Sequence, residues 1–192
     1  MTYQELLAEF EKLGVLQTGH FKLTSGLHSE QYMQCAKLFE HPREAAKVVE
    51  ALLAKLPNGV ETVIAPAIGG ITVGYELARL LGCRFIFAER QDGTMTFRRG
   101  FAVRTGERVL AVEDVVTTGG SVREVVDLAR DFGAEVLGVA AVVDRSQGKA
   151  DFGVPFYPLV RADIRVYDPE QCPLCGAGVA LQTPGSRKMS LA

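Results

Sequence analysis

Apolar residues recur at Leu6, Leu7, Phe10 and Leu13, and Gly14 follows as a stop, so the spacing predicts a helix over Tyr3 to Leu13. The next stretch, GHFKLTSGLHSEQYMQC, alternates apolar and polar positions around Ser25-Gly26 and predicts two short strands joined by a tight turn. His41-Pro42-Arg43 opens a second helix running to about Leu56, with Pro42 in the first turn, where its missing N–H costs little.

From Glu61 the texture becomes repetitive: apolar strand, glycine-containing turn, helix. TVIAPAIGG leads into ITVGYELARLLG, then CRFIFAER; ERVLAVEDVVTTGG leads into SVREVVDLARDFG, then AEVLGVAAVVDR. Val109 to Val112 and Val136 to Val143 are almost continuously apolar and β-branched, as parallel strands covered on both faces are. The pattern predicts an α/β fold, an open and mostly parallel sheet flanked by helices. Ligands of such sheets sit beyond the carboxyl ends of the strands. QDGTMTFRRGFAVRTG reads as a β-ribbon or mobile loop. The run after Asp151 reads as short strand-like pieces ending in a polar, irregular tail.

At 192 residues, with 47% apolar and 23% charged positions, the composition is that of one self-folding domain. A formal charge of -2 argues against a protein that wraps nucleic acid. No stretch approaches the roughly 20 apolar residues of a membrane span. The N-terminal segment reads as an amphipathic helix and not a secretory signal, so no membrane association and a cytoplasmic location are expected.

The sharpest feature is VLAVEDVVTTGGSVREVVDLA. Thr117, Thr118, Gly119, Gly120 and Ser121 would present backbone N–H groups and hydroxyls at a helix N-terminus, where the macrodipole favours an anion such as phosphate. Glu113 and Asp114 are acceptors, suited to sugar hydroxyls beside that phosphate. Capping of the following helix would explain one acid but not two at the end of an apolar strand. Neither a Walker phosphate loop nor a G-x-G-x-x-G turn after a strand is present. The combination describes a ribose 5-phosphate site.

At Val109 to Ser121 the chain resembles the type I phosphoribosyltransferases. The closer resemblance, through GHFKLTSGLHS, APAIGGI, FAERQDG, MTFRRGF, VEDVVTTGGS, VVDRSQG and PGSR, is to the orotate phosphoribosyltransferases. It implies a small hood built from about 1–40 and 151–192 over a core of about 41–150. It also implies transfer of the phosphoribosyl group from 5-phosphoribosyl 1-pyrophosphate to orotate with magnesium, in UMP biosynthesis, by a homodimer sharing its active-site loop. Glu113 and Asp114 would bind the ribose hydroxyls, and Val115, Val116 and the residues to Ser121 the 5-phosphate. Arg90 would bind pyrophosphate, and Thr117, Arg145, Gln31 and Tyr32 would border orotate.

The chain departs from the better-known bacterial pattern. Its loop has Gln91, Thr94 and Thr96 where lysines and a histidine are usual, which leaves Arg98 and Arg99 as partners of the leaving pyrophosphate. Ile68 and Gly69 replace a tyrosine and a lysine, leaving the backbone N–H groups of Gly69 and Gly70 to approach pyrophosphate. Thr24 stands where the family lysine does, and Lys22, two residues earlier, is the substitute. The resemblance leaves open another nucleobase, or an RNA-binding regulator of the same fold. His20, His28 and His41 have no recognisable partners and read as structural or exposed. Cys172-Pro-Leu-Cys175 is half of a zinc pattern; with two ligands missing, reduced thiols or a local disulfide are the reading, and no metal is assigned.

Overall fold

A computed structural model describes residues 1–23 and 25–184; Thr24 and the Gly185-Ser186-Arg187 part of the PGSR motif lie outside the described residues. In chain order, α1 (Tyr3–Lys12), β1 (Leu16–Lys22) and β2 (His28–Met33) precede a 3-10 segment, Cys35–Glu40, and α2 (Pro42–Leu53). Then come β3 (Thr62–Pro66), α3 (Gly69–Leu81), β4 (Arg84–Gln91), β5 (Thr94–Phe97), β6 (Arg108–Val116), α4 (Gly120–Asp131) and β7 (Glu135–Asp144). The chain continues through β8 (Phe156–Arg161), β9 (Val166–Tyr167) and a single turn, α5 (Pro173–Gly176).

The main sheet has the order β5-β4-β3-β6-β7-β8, with every pair parallel except β4 with β5. β3 is buried throughout, and β6 and β7 are buried over most of their length, which is why these segments read as unbroken apolar runs. Helices α1, α2 and α3 bury Phe10, Val48, Leu52, Val73 and Leu77 with Leu110 and Val112 in one cluster. Helix α4 buries Val122, Val125 and Val126 with Ile64, Ala111 and Val139 in another. The sheet is therefore covered on both faces, and its strand ends are left to ligands.

Local chemistry explains the element ends. Thr2 and Glu5 form a reciprocal capping box at the start of α1, and Gly14, at φ +68°, turns the chain after it. Helix α2 stops at Leu53, three residues short of the expectation from periodicity. Lys55 and Leu56 instead donate to Leu52 and Leu53 in tight turns ahead of Pro57, which disfavours helix at the residue before it.

A second sheet, β1-β2-β9, is antiparallel and built from segments expected to form the hood. One boundary differs from expectation. The segment after 151 was expected to belong to the hood, yet β8 pairs parallel with β7 in the main sheet, so the C-terminal part of the hood begins only after Arg161. Pro155 and Pro158 weaken the strand signal in sequence, but β8 is an edge strand, where a missing N–H is tolerated.

Candidate functional site

The carboxyl end of β6 carries Glu113 and Asp114 directly into the turn that opens α4. Gly119 makes this turn possible. Its φ is +77°, and a Cβ there would sit 2.8 Å from the Phe152 ring, so neither the backbone nor the space accepts a side chain. The N-cap residue Gly119 has no side chain, Thr118 Oγ1 accepts only weakly from the Gly120 N–H at 3.4 Å, and no acid lies in the first turn of α4, which leaves N–H groups available to an anion. Glu113, Val115 and the residues from Val116 to Val122 line a hollow of about 70 Å³ there.

Among the described residues the acids pair with no cation. Asp114 Oδ1 accepts from the Val115 N–H at 2.7 Å and Glu113 Oε1 from the Asp114 N–H at 3.2 Å. Burial, then repulsion from Asp114, pushes the Glu113 carboxyl up to about 9, and burial also raises Asp114. An apolar strand end that tolerates two acids in this state suits a ligand rich in hydroxyl donors, or a cation, that would stabilise their charged forms.

Gly69 and Gly70 lie at the start of α3, immediately beside this pair. A Cβ at Gly69 would come within 2.9 Å of Asp114 Oδ1, and one at Gly70 within 3.0 Å of the Val112 carbonyl. The turn therefore approaches the acids backbone-first, with no room for a side chain at either glycine.

At the end of β7, Asp144 is buried and accepts from the Ser146 N–H at 2.8 Å, while the Arg145 N–H donates to the Val116 carbonyl at 2.8 Å. These bonds fix the turn that carries the Arg145 side chain next to β6. Burial lowers the half-buried Arg145 guanidinium from its ordinary value, and the Tyr32 phenol and Cys35 thiol, both close enough to be felt electrostatically, oppose the drop. Among the described residues no carboxylate forms an ion pair with Arg145. Cys35 in turn senses Asp114, and its buried thiol is raised well above its usual value, first by burial. Tyr32 and Cys35 are thus near enough to Arg145, and Asp114 to Cys35, to act on one another electrostatically.

Gln31 does not join these residues. Neighbours on a strand face opposite ways, and Gln31 lines a separate crevice with Tyr3, Leu7, Leu16 and Met33, whereas Tyr32 packs on Phe21. Lys22 is exposed at the end of β1. Arg90 donates to Glu124 at 2.6 Å and to the Gly93 carbonyl at 3.0 Å, and it does not line the hollow. Arg99, at φ +58°, is clamped by both oxygens of Glu89 at 2.8 and 3.0 Å and lies over Phe87. Arg98 is exposed at the end of the β4–β5 ribbon, and among the described residues it enters no ion pair.

The expectation for the histidines and cysteines divides. His41 is exposed, and all four cysteines are free thiols, so Cys172 and Cys175 form no disulfide. His20 and His28, however, are buried together beside Cys172 and Cys175, a grouping of distant segments that spacing in sequence could not reveal.

With this geometry in place, comparison with known proteins is informative. Residues 35–153 match the phosphoribosyl transferase domain model, a span that includes both acids, the anion hollow and Arg145. Orotate phosphoribosyltransferase from Caldanaerobacter subterraneus subsp. tengcongensis is 53% identical over 190 residues, covering 98% of this chain and 100% of that one. The chain belongs to the orotate phosphoribosyltransferase family. The Thermotoga maritima member is 55% identical over 179 residues, covering 92% of this chain and 95% of its own. Among solved structures, orotate phosphoribosyltransferase from Aeropyrum pernix superposes with a TM-score of 0.72 at 25% identity, covering 81% of this chain and 93% of that one.

Proposed function

We propose that the chain transfers the 5-phosphoribosyl group of 5-phosphoribosyl 1-pyrophosphate to orotate, giving orotidine 5′-monophosphate and pyrophosphate in UMP biosynthesis. The observation that carries this reading is the meeting, at the ends of β6 and β7, of a helix N-terminus with available N–H groups, two acids that among the described residues pair with no cation, and a half-buried arginine. Each suits a different part of the reactants.

The N–H groups from Thr117 to Ser121 would take the 5-phosphate, with the Thr and Ser hydroxyls adding donors. Glu113 and Asp114 would accept from the ribose 2′- and 3′-hydroxyls, fixing carbon 1 for attack. The Arg145 fork would pair with the orotate carboxylate, beside Tyr32 and Thr117. A nitrogen of orotate then bonds to carbon 1 as the bond to pyrophosphate breaks; the electron pair leaves with the pyrophosphate and the proton on that nitrogen passes to solvent. No nucleophile from the chain is needed.

The leaving pyrophosphate faces the backbone N–H groups of Gly69 and Gly70. Arg90 and Arg98 on the β4–β5 ribbon are its cationic partners, Arg90 after exchanging an exposed ion pair that costs little to break. Magnesium fits this donor set, since it binds through one or two carboxylates together with substrate phosphates and keeps several waters. Glu113 and Asp114 would hold it from the ribose side, and when bound it neutralises charge on the departing pyrophosphate. Closure of the ribbon over the reacting carbon would exclude water. We place the enzyme in the cytoplasm as a homodimer, a state supported by the exposed Ile68, at the N-cap of α3, and Tyr75 within that helix, and measurable by light scattering.

The test is an absorbance assay with 5-phosphoribosyl 1-pyrophosphate, magnesium and either orotate, uracil or a purine base. Consumption of orotate alone, raised at least about tenfold in KM by Arg145→Gln, is expected from loss of a charged hydrogen-bonded pair. Turnover of another base without loss of orotate would overturn the reading, as would binding of RNA with no turnover at all.

A further inference from the structure

Two strands of the hood and its C-terminal turn bring four metal-type ligands to one point, a grouping separate from the transfer site. His20 comes from β1, His28 from β2, Cys172 from the N-cap of α5 and Cys175 from within its single turn. Their ligand atoms all lie within 4.8 Å of one another, and His20, His28 and Cys172 are buried. His20 Nε2 is 3.0 Å from His28 Nδ1, 3.5 Å from Cys172 Sγ and 3.7 Å from Cys175 Sγ, and Cys175 Sγ is 3.3 Å from His28 Nδ1.

Three of these four separations are those of a coordination shell, and the His20–His28 one is a few tenths of an ångström shorter. A tetrahedron with Zn–N of about 2.0–2.1 Å and Zn–S of about 2.3 Å has edges of roughly 3.3–3.8 Å. The protonation of His20 is also set for it. Its Nδ1 lies 2.8 Å from the Val179 carbonyl, which can only accept, so Nδ1 carries the proton and Nε2 presents a lone pair. Three groups converge on that one lone pair, which can accept one good hydrogen bond but cannot satisfy all three. A cation at the centre satisfies every one of them.

We propose that His20, His28, Cys172 and Cys175 bind one zinc ion in a closed, four-ligand structural site. Two neutral imidazoles and two thiolates in a tetrahedral set select zinc over hard, oxygen-seeking cations, and the absence of a fifth position leaves no place for a substrate. Binding converts both thiols to thiolates and releases their two protons to solvent. Cys175, the exposed ligand, gives the ion a path in.

The ion ties together what the hood otherwise joins weakly. Strand β9 is two residues long and pairs with β2 only at His28 and Ser29. The segment after α5 is held to β1 through two backbone bonds, Lys22 N–H to the Gln182 carbonyl and Gln182 N–H to the His20 carbonyl. Zinc adds four bonds at the junction of those three segments and anchors the end of β1 that carries Lys22.

The full-length chain, expressed with zinc supplied and purified under reducing conditions without chelator, is expected to carry about one zinc per chain by mass spectrometry of its metal content. Exchange for cobalt should give the visible bands of tetrahedral thiolate-bound cobalt. Cys172→Ser/Cys175→Ser should retain less than about one tenth of the metal, and His41→Ala, outside the cluster, should retain all of it. Because the double variant can fail to fold, alkylation of the wild-type chain provides an independent readout. Cys172 and Cys175 should resist alkylation with zinc present and react after chelation. Wild-type protein with no zinc after reconstitution, thiols equally reactive with and without zinc, or a Cys172–Cys175 disulfide under reducing conditions would each overturn the proposal, whatever the base specificity of the transfer site.

Discussion

Gly69 stands so close to Asp114 that a Cβ added at residue 69 would lie 2.9 Å from the carboxylate oxygen Oδ1. The turn after β3 and the acid at the end of β6 are thus fitted to each other through the lack of a side chain. Gly69→Ala should displace the Asp114 carboxylate and raise KM for 5-phosphoribosyl 1-pyrophosphate by roughly tenfold, about 1.4 kcal/mol, with little change in thermal stability. Steady-state kinetics with orotate saturating checks it. An unchanged KM would separate the glycine from the ribose site.

Protonation of Glu113 should make substrate binding depend on pH. Its carboxyl is raised to about 9 in the free chain, while ribose hydroxyls and magnesium favour the carboxylate. Binding near pH 7.5 should therefore release protons, and affinity should rise as pH approaches 9. Calorimetry in buffers of different ionisation heat measures the release, and Glu113→Gln should abolish it. Stability moves the other way. The folded value lies above the unfolded 4.5, so the folded chain holds the extra proton and loses stability as pH climbs from 4.5 towards 9.

The adjacent arginines of the ribbon should part company. Arg98 is free to meet pyrophosphate, and Arg98→Ala should lower kcat by about a hundredfold with orotate KM nearly unchanged, the pattern of a contact made in the transition state. Arg99 is engaged by Glu89 and Phe87, so Arg99→Ala should change kcat by less than about threefold and stability by no more than ~1 kcal/mol. Equal losses of kcat in both variants would contradict this division.

Glu107 should matter for stability but not for turnover. It is buried at the end of the sheet away from the acids and accepts from Thr62 Oγ1 at 2.5 Å, the Arg104 N–H at 2.7 Å and Arg84 Nη2 at 2.9 Å. Burial works against its charge, yet these donors together hold its carboxyl below the usual 4.5. Its contribution is accordingly present above pH 4.5 and lost as acid takes the pH through the folded value. Glu107→Gln should cost about 1.5–3 kcal/mol in denaturant unfolding at pH 7 and leave kcat/KM unaltered.

Much of the fold was legible because its signals are local. The apolar runs of β3, β6 and β7 announce strands buried on both sides, and the acid pair with TTGGS announces a strand end, an anion cradle and a helix start within nine residues. The residues expected to border orotate were less legible. Gln31 and Tyr32 are neighbours in sequence, but the pleat sends them to opposite faces of β2, and only the packing of that sheet reveals which faces Arg145.

By itself the sequence determined the α/β architecture and the placing of two acids at a strand end before a glycine-rich helix start, since each depends on residues adjacent in the chain, where spacing along the backbone fixes geometry. Only the tertiary structure decided that β8 completes the main sheet, that Arg99 serves the ribbon, and that His20 and His28 meet Cys172 and Cys175 across some 150 residues. Those outcomes come from pairing and packing between distant segments, whose energies depend on which surfaces meet and leave no periodic trace in either segment alone.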